Sequence, residues 1–490
     1  MKSKERQYAL YLFVSCCFGV LIRLMPIAWG TSLIDPINTG FHPDEPKISS
    51  YIYNFPSYLS AYNDFRQPLL LHNIGGLIFK SFYEFVGFLQ NFIALDKPYH
   101  EAALIICRLT ALSFSVFSIF IVAAIMRHSY GIRPAIFSIA VLNSMPYNII
   151  NSSTCWTDIP SSFFILLVFV VIILNKELSP IKSTLALGLA SGLGFSTKYT
   201  AAIAVFPSML YILARLRRKA FPYVTIFIIT FILAFILTSP LILFKTDRLM
   251  ESFKSLASWS YEGGFINNLY AIYQSLGVFS CAFLVVSICV AIRKFDFVLL
   301  SLLITIFSFI LLMYPNIAPR YIILISSAAS LVSGIVSYSL FSNINFKRIF
   351  ITTALIQLSA IPLIISRYSD SRYQLTNYIL QHSSPGDTIS IGLPPCVDDL
   401  STAYLWPKIC STVCDTTDIY YNPSWVILNF KFSKESLVSQ KEYICDNDHG
   451  KYDSVLRFEN LYSLERVISP PPWPIEFNGS TYYIYKNSHD

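Results

Sequence analysis

Apolar runs recur through the first three-quarters of the chain. Each is bounded by a short polar or basic stretch and is close to the ~20 residues that a helix needs to cross a hydrocarbon core. They predict spans near 8–29, 102–126, 134–150, 159–175, 182–196, 199–214, 221–244, 268–292, 296–314, 319–340 and 349–366, about eleven in all. The stretch 68–93 is also apolar but contains His72, Lys80 and Glu84, which predicts a helix lying at the interface. Lys2, Lys4, Arg6 and Arg23 flank the first span and no small-residue cleavage site follows it, so a retained anchor is expected there. Beyond 366 the pattern changes. A helix is expected at 370–382, a Ser384-Pro385-Gly386-Asp387 turn after it, and strands at 388–393, 424–430 and 481–486, with Pro470-Pro471-Pro472 in a connection.

The expected fold is therefore an α-helical polytopic membrane domain over 1–366, with outer loops at 30–101 and 245–267, followed by a smaller mixed α/β extracytoplasmic domain over 367–490. No internal repeat is visible, which weighs against a secondary transporter built from matched halves.

Composition fits this picture. The chain is 54% hydrophobic and only 13% charged, whereas soluble domains carry about 25% charged residues. The net charge of +7 is placed where topology wants it. With the N-terminus in the cytoplasm, the inner loops carry Arg127 and Arg133, Lys176 and Lys182, Arg215 to Lys219, Arg293-Lys294 and Lys347-Arg348. These anchors account for most of the excess, so no nucleic-acid partner is implied.

The ten cysteines divide by location. Cys16, Cys17, Cys107, Cys155, Cys281 and Cys289 lie in or beside spans and are expected to pack as small apolar groups. Cys396, Cys410, Cys414 and Cys445 all fall in the outer tail and predict two disulfides of open connectivity. A zinc site is the rival reading, but no histidine completes a ligand pattern.

The candidate chemistry starts at Phe41-His42-Pro43-Asp44-Glu45-Pro46, just past the first span. Charge beside hydrocarbon is expensive and is usually kept for function. Asp44 is the candidate general base, and Glu45 a residue to assist it, bind the acceptor or hold a divalent metal. The structural reading of the same residues is the capped start of a helix near Pro46, which is compatible with a rigid catalytic mount. Lys47, Arg66, Lys198, Lys245, Arg248 and Arg320 sit on the outer side against the positive-inside pattern, and Arg23 and Arg108 lie within or at the ends of spans. As a group they suit an anionic lipid phosphate, although each alone is equally well an interfacial cation. Arg320 opens a span on that side, where a helix N-terminus adds its own attraction for phosphate. Asp158, in Thr157-Asp158-Ile159-Pro160, is a candidate substrate ligand or a helix cap, and Asp64 a substrate ligand or a local partner of Arg66. His42 and His72 read as interface residues or weak metal ligands, and Trp156 as part of an aromatic belt.

Taken in order, these elements resemble the GT-C class of integral-membrane glycosyltransferases, and within it the family of protein O-mannosyltransferases and aminoarabinose transferases. The resemblance runs through His42-Pro43-Asp44-Glu45, Gln67-Pro68-Leu69, Arg108-Leu109, Thr157-Asp158-Ile159-Pro160, the glycine-rich span 188–196 ending in Thr197-Lys198-Tyr199, and Arg320-Tyr321. It covers 1–340, and Gln67 stands where relatives often have a second proline.

The resemblance implies transfer of a hexose from a polyprenyl-phosphate donor, such as undecaprenyl phosphate, to an acceptor hydroxyl on the periplasmic face of a bacterial inner membrane. Asp44 and Glu45 would be catalytic. Arg320, Lys198, Arg108, Arg66 and Lys47 would hold the donor phosphate, and Asp158, His42 and Asp64 would bind substrate. No cofactor is required, and a divalent cation is permitted. O-antigen of lipopolysaccharide or another surface glycan is the leading acceptor, with lipid A and protein as the others. A lipid-linked sugar flippase and a non-enzymatic envelope-glycan assembly factor are the competing readings.

Overall fold

The computed structural model describes residues 2–28, 45–62, 68–90, 99–174, 177–258, 265–294, 296–313, 319–341 and 345–362, together with four strands in the tail. The chain divides into two compact units, Met1–Ile27 with Lys47–Leu363, and Ala28–Pro46 with Ile364–Asp490.

In the first unit the apolar runs form helices. α1 (Lys2–Leu24) is followed by α2 (Glu45–Tyr53), α3 (Tyr58–Ala61) and α4 (Leu70–Gln90), then by the long α5 (Tyr99–Tyr130). Pro46 is the second residue of α2, where its missing N–H costs nothing. α6 (Ile132–Leu142) and α7 (Pro146–Ser152) occupy the expected span 134–150. That span is not one helix. Pro146 cannot donate to the preceding turn, and the chain opens at Asn143 and Ser144. α8 (Asp158–Ile173) and α9 (Pro180–Phe195) come next. α10 (Val205–Leu216) is separated from α11 (Ala220–Thr238) at Arg217, whose φ of 46° no helix tolerates.

α12 (Thr246–Ser258) precedes α13 (Phe265–Lys294), which is broken at Gly277. Its φ of 75° lies in the left-handed region that glycine fills without strain, and a Cβ there would sit 3.3 Å from the Ser144 carbonyl. α14 (Phe297–Met313), α15 (Pro319–Ile322), α16 (Ser326–Leu340) and α17 (Phe346–Leu358) complete the unit.

Among the described residues, five stretches are long and apolar enough to cross a membrane: Glu5–Ile27, Ala102–Tyr130, Tyr199–Thr238, Asn268–Arg293 and Ile323–Leu340. Shorter apolar helices lie at Ile132–Leu142, Asp158–Ile173 and Phe297–Met313. Large apolar side chains such as Phe221, Leu237, Ile292 and Leu311 face outward, as lipid-facing positions do in an integral membrane protein.

The bundle is tightest where α9 meets α11. Gly188 and Gly192, four residues apart, let the two backbones touch. A Cβ at Gly192 would lie 2.5 Å from the Phe231 carbonyl oxygen and 2.8 Å from Ala234 Cβ, and one at Gly188 would lie 2.8 Å from the Phe227 oxygen. Gly192→Val is expected to force the helices apart, lowering stability by about 1–3 kcal/mol. The thermal unfolding midpoint of the detergent-solubilised protein measures this. An unchanged midpoint would mean that α9 and α11 are not held by backbone contact.

A second feature is a buried polar network around Arg23, which is wholly inaccessible. Its Nη1 donates to the Gly19 carbonyl and to Asn143 Oδ1 (2.9 and 3.0 Å), and its Nη2 to the Leu142 carbonyl and Asn148 Oδ1 (2.9 and 2.8 Å). Asn143 Nδ2 in turn donates to the Ser15 carbonyl and to Gln357 Oε1. Asn148 Nδ2 donates to Ser326 Oγ, which meets Ser162 on α8. The sequence pattern groups Arg23 with the cations suited to a lipid phosphate. The structure instead assigns its fork to neutral oxygens that tie α1 to α6, α7, α8, α16 and α17.

In the second unit the described strands form a sheet ordered β1-β2-β4-β3, from β1 (Ile389–Ile391), β2 (Trp425–Leu428), β3 (Tyr462–Ile468) and β4 (Tyr482–Asn487). β1 and β2 are parallel, and the other neighbours antiparallel. β1, β2 and β4 overlap the three expected strands, and β3 is additional. The expected helix at 370–382 lies outside the described residues, as do Cys396, Cys410, Cys414 and Cys445.

Candidate functional site

The described candidates lie at the start of α8, just past the end of α9, and on α5 and α15. α8 begins at Asp158, and Thr157 before it makes no side-chain cap bond. The partner of the Asp158 carboxylate is on another segment: it receives Lys198 Nζ at 2.5 Å. Lys198 follows α9 directly, where the chain turns out of the helix: Lys198 N–H still bonds the Gly194 carbonyl, but its φ and ψ of −157° and 130° are extended. That turn is fixed on both sides. Thr197 Oγ1 lies 2.6 Å from Ser161 Oγ on α8, and Thr238 of α11 donates to Ser196 Oγ at 2.6 Å. The Leu70 N–H at the start of α4 bonds the Ser196 carbonyl.

The Lys198 ammonium also lies 4.7 Å from the centroid of the Tyr321 ring, a cation–π distance. The side chain of Asp158 is 4% exposed and that of Lys198 18%. The sequence assigned these two residues to different jobs. The structure makes them an ion pair, so Lys198 reaches its surroundings with most of its charge already matched.

Arg108 on α5 is buried, and its Nη1 donates to the Ile27 carbonyl at 2.8 Å. Beside it is a feature that the sequence reading missed. Cys107 and Cys155, expected to be unpaired apolar packers, form a disulfide with a Cα–Cα separation of 5.2 Å across 48 residues of sequence. Hydropathy sees only two cysteines in apolar surroundings. Their shared position at the predicted outer ends of their segments was the available signal. Cys16, Cys17, Cys281 and Cys289 are free, as expected.

The remaining candidates divide into three groups. His42, Asp44, Asp64 and Arg66 lie outside the described residues. Glu45 and Lys47 are on α2 and Arg320 is on α15, and the description of these three stops at the backbone. Of the other outer cations, Lys245 Nζ donates to the Tyr62 carbonyl at 2.7 Å and Arg248 pairs with Glu251 at 2.9 Å. Near Lys245, Tyr51, Tyr58, Tyr62 and His72 form a ring cluster, with Tyr58 donating to Asn73 Oδ1 at 2.8 Å. Burial, with a smaller contribution from Tyr51, raises the Tyr58 phenol above its ordinary value and keeps it a donor. Among the described residues, no group of three or more His, Cys, Asp or Glu side chains gathers to hold a metal ion.

Residues 99–244, which include Arg108, Asp158 and Lys198, match the dolichyl-phosphate-mannose-protein mannosyltransferase family. No curated protein matches the chain in sequence. Among solved structures, ArnT from Cupriavidus metallidurans in the apo state is similar at 11% identity and a TM-score of 0.52, covering 97% of each chain. The same protein bound to undecaprenyl phosphate is similar at 10% identity, with the same TM-score and coverage. The Archaeoglobus fulgidus oligosaccharyltransferase in complex with zinc and sulfate gives 13% identity and a TM-score of 0.47, over 96% of this chain and 72% of its own. The chain thus has an ArnT-like fold and, over 99–244, the sequence pattern of the protein mannosyltransferases, and the GT-C resemblance read from its motifs holds.

Proposed function

We propose that this protein is a membrane glycosyltransferase of the GT-C type, moving a hexose from a polyprenyl-phosphate donor to an acceptor hydroxyl on the extracytoplasmic face. The observation that carries the reading is the retention of a buried Arg108 and of the Asp158–Lys198 ion pair in otherwise apolar helices, inside the segment that matches the mannosyltransferase family. That ArnT binds undecaprenyl phosphate supports the donor class.

In this reading Asp44 takes the proton of the acceptor hydroxyl as its oxygen attacks the anomeric carbon. The bond from that carbon to the phosphate oxygen breaks, and the electron pair leaves with the phosphate. Arg320, Arg108, Arg66 and Lys47 stabilise the charge that develops there. Lys198 exchanges part of its pairing with Asp158 for the phosphate. One base suffices for such an inverting displacement, in contrast to the two carboxylates of glycoside hydrolysis. Glu45 assists Asp44, His42 and Asp64 bind substrate, and a divalent cation is not needed for any step.

In this reading residues 1–366 make about eleven crossings of a bacterial inner membrane with the N-terminus inside. They leave 367–490, a mixed α/β domain, to recognise an acceptor such as O-antigen or another surface glycan. The Cys107–Cys155 disulfide supports this orientation, since such bonds persist in oxidising compartments.

The test is Arg320→Ala in a transfer assay with a polyprenyl-phosphate hexose. We expect a loss of more than about tenfold, equivalent to about 1.5–3 kcal/mol for a charged hydrogen-bond partner. Wild-type transfer by this variant would overturn the donor site. Mass spectrometry of envelope glycans with and without the chain identifies the sugar and the acceptor.

A further inference from the structure

We propose that the Cys107–Cys155 disulfide is a maturation bond, introduced by a thiol–disulfide oxidoreductase on the extracytoplasmic face, and that it positions Asp158 and Arg108 within the site. Its consequence for transfer rests on the function proposed above, whereas the bond and its positioning role do not.

The bond joins two segments that otherwise hold themselves. Residues 153–157 are folded back on α7: Ser153 Oγ donates to the Ile150 carbonyl and Thr154 Oγ1 to the Asn151 carbonyl, both at 3.0 Å. Those hydrogen bonds set the local turn but do not reach α5. Cys155 does, through its sulfur, and Asp158 starts α8 only three residues later. On the other strand of the cross-link, Cys107 precedes Arg108, which is anchored to the Ile27 carbonyl. A continuous linkage therefore runs from Ile27, just past α1, through Arg108 and the disulfide to Asp158, and by the 2.5 Å ion pair to Lys198. Without the bond, no covalent link ties the start of α8 to α5.

Both cysteines are fully buried, so the exchange precedes closure of the bundle. One cysteine thiolate attacks the disulfide of the oxidoreductase and expels one of its sulfurs. The second cysteine thiolate then attacks the mixed disulfide and expels the other. The balance is two protein thiols and one enzyme disulfide giving one protein disulfide and one enzyme dithiol, which carries away both protons and both electrons.

The experiment uses the full chain purified from cells grown with and without dithiothreitol, and the Cys107→Ser/Cys155→Ser variant grown without it. Denatured protein is alkylated with N-ethylmaleimide and mapped by peptide mass. In parallel, the folded protein is treated briefly with acetic anhydride and acetylation at Lys198 is followed, with exposed Lys182 as the internal reference. We expect Cys107 and Cys155 to be alkylated only after growth with dithiothreitol. We also expect Lys198 to be acetylated at least threefold faster when the bond is missing, by either route, while Lys182 stays constant.

Alkylation of both cysteines in untreated protein would overturn the bond. Equal Lys198 rates with and without it, or aggregation of both bond-free forms, would overturn the positioning role and leave a purely stabilising staple. Intact transfer by Arg320→Ala would remove the donor-site reading and leave these masses and rates as they stand.

Discussion

Asp44→Asn is expected to abolish sugar transfer while the lipid donor stays bound. The substitution is nearly isosteric and keeps the side chain's ability to accept a hydrogen bond, but an amide cannot take up a proton at neutral pH. Loss of a positioned general base typically costs about 10²–10⁴ in rate. The choice of asparagine also isolates chemistry from folding. If Asp44 only capped the helix that begins at Glu45, asparagine would cap it equally well and transfer would be unchanged. The measurement is a radiolabelled hexose assay paired with binding of a polyprenyl phosphate. Wild-type turnover by Asp44→Asn would end the catalytic assignment. Loss of donor binding together with turnover would shift Asp44 from base to ligand.

The second large effect is on stability. Arg23→Met keeps the apolar stem of the side chain but leaves the Leu142 carbonyl, Asn143 Oδ1 and Asn148 Oδ1 without their donor. The Leu142 carbonyl belongs to the last turn of α6, where no following turn can satisfy it. Hydrogen bonds between membrane helices average about 0.6 kcal/mol and reach about 1.7, while an orphaned buried acceptor costs about 1–3 kcal/mol. Losing a buried charge recovers part of this. The balance favours the wild type by about 3 kcal/mol, at the lower end of what breaking a buried charged network costs. A fall in the thermal unfolding midpoint of the solubilised protein would show it. A midpoint equal to wild type would mean that the network specifies nothing in the bundle.

Hydropathy made most of the first unit legible, because a helix in hydrocarbon must satisfy its own backbone and so must be both long and apolar. It failed where one side chain changes the backbone. The run 134–150 is apolar enough for one helix, yet Pro146 and the demand of Arg23 for oxygen ligands split it into α6 and α7. The run 268–292 gave no sign that Gly277 bends α13. Of the candidate site residues, several lie outside the described residues. Asp158 and Lys198 were both selected, but the 40 residues between them concealed that they neutralise each other. Cys107 and Cys155 were misread for the same reason, since proximity across 48 residues leaves no local pattern. β3 was passed over because the run Tyr462–Ile468 places Glu465 and Arg466 inside a short apolar segment.

The crossing of α9 with α11 has a consequence for how the protein can adapt. α11 buries little beyond Ala220, Phe227 and Ala234, and turns Ile228, Ile229, Ile232, Leu233 and Leu237 outward. Its lipid-facing residues can be exchanged to suit a thicker, thinner or differently composed bilayer. The strip lying against Gly188 and Gly192 admits no such retuning, because the space there is filled by main chain. The helix can therefore follow its host membrane on one side while keeping the end of α9, and the lysine mounted just beyond it, in a fixed place.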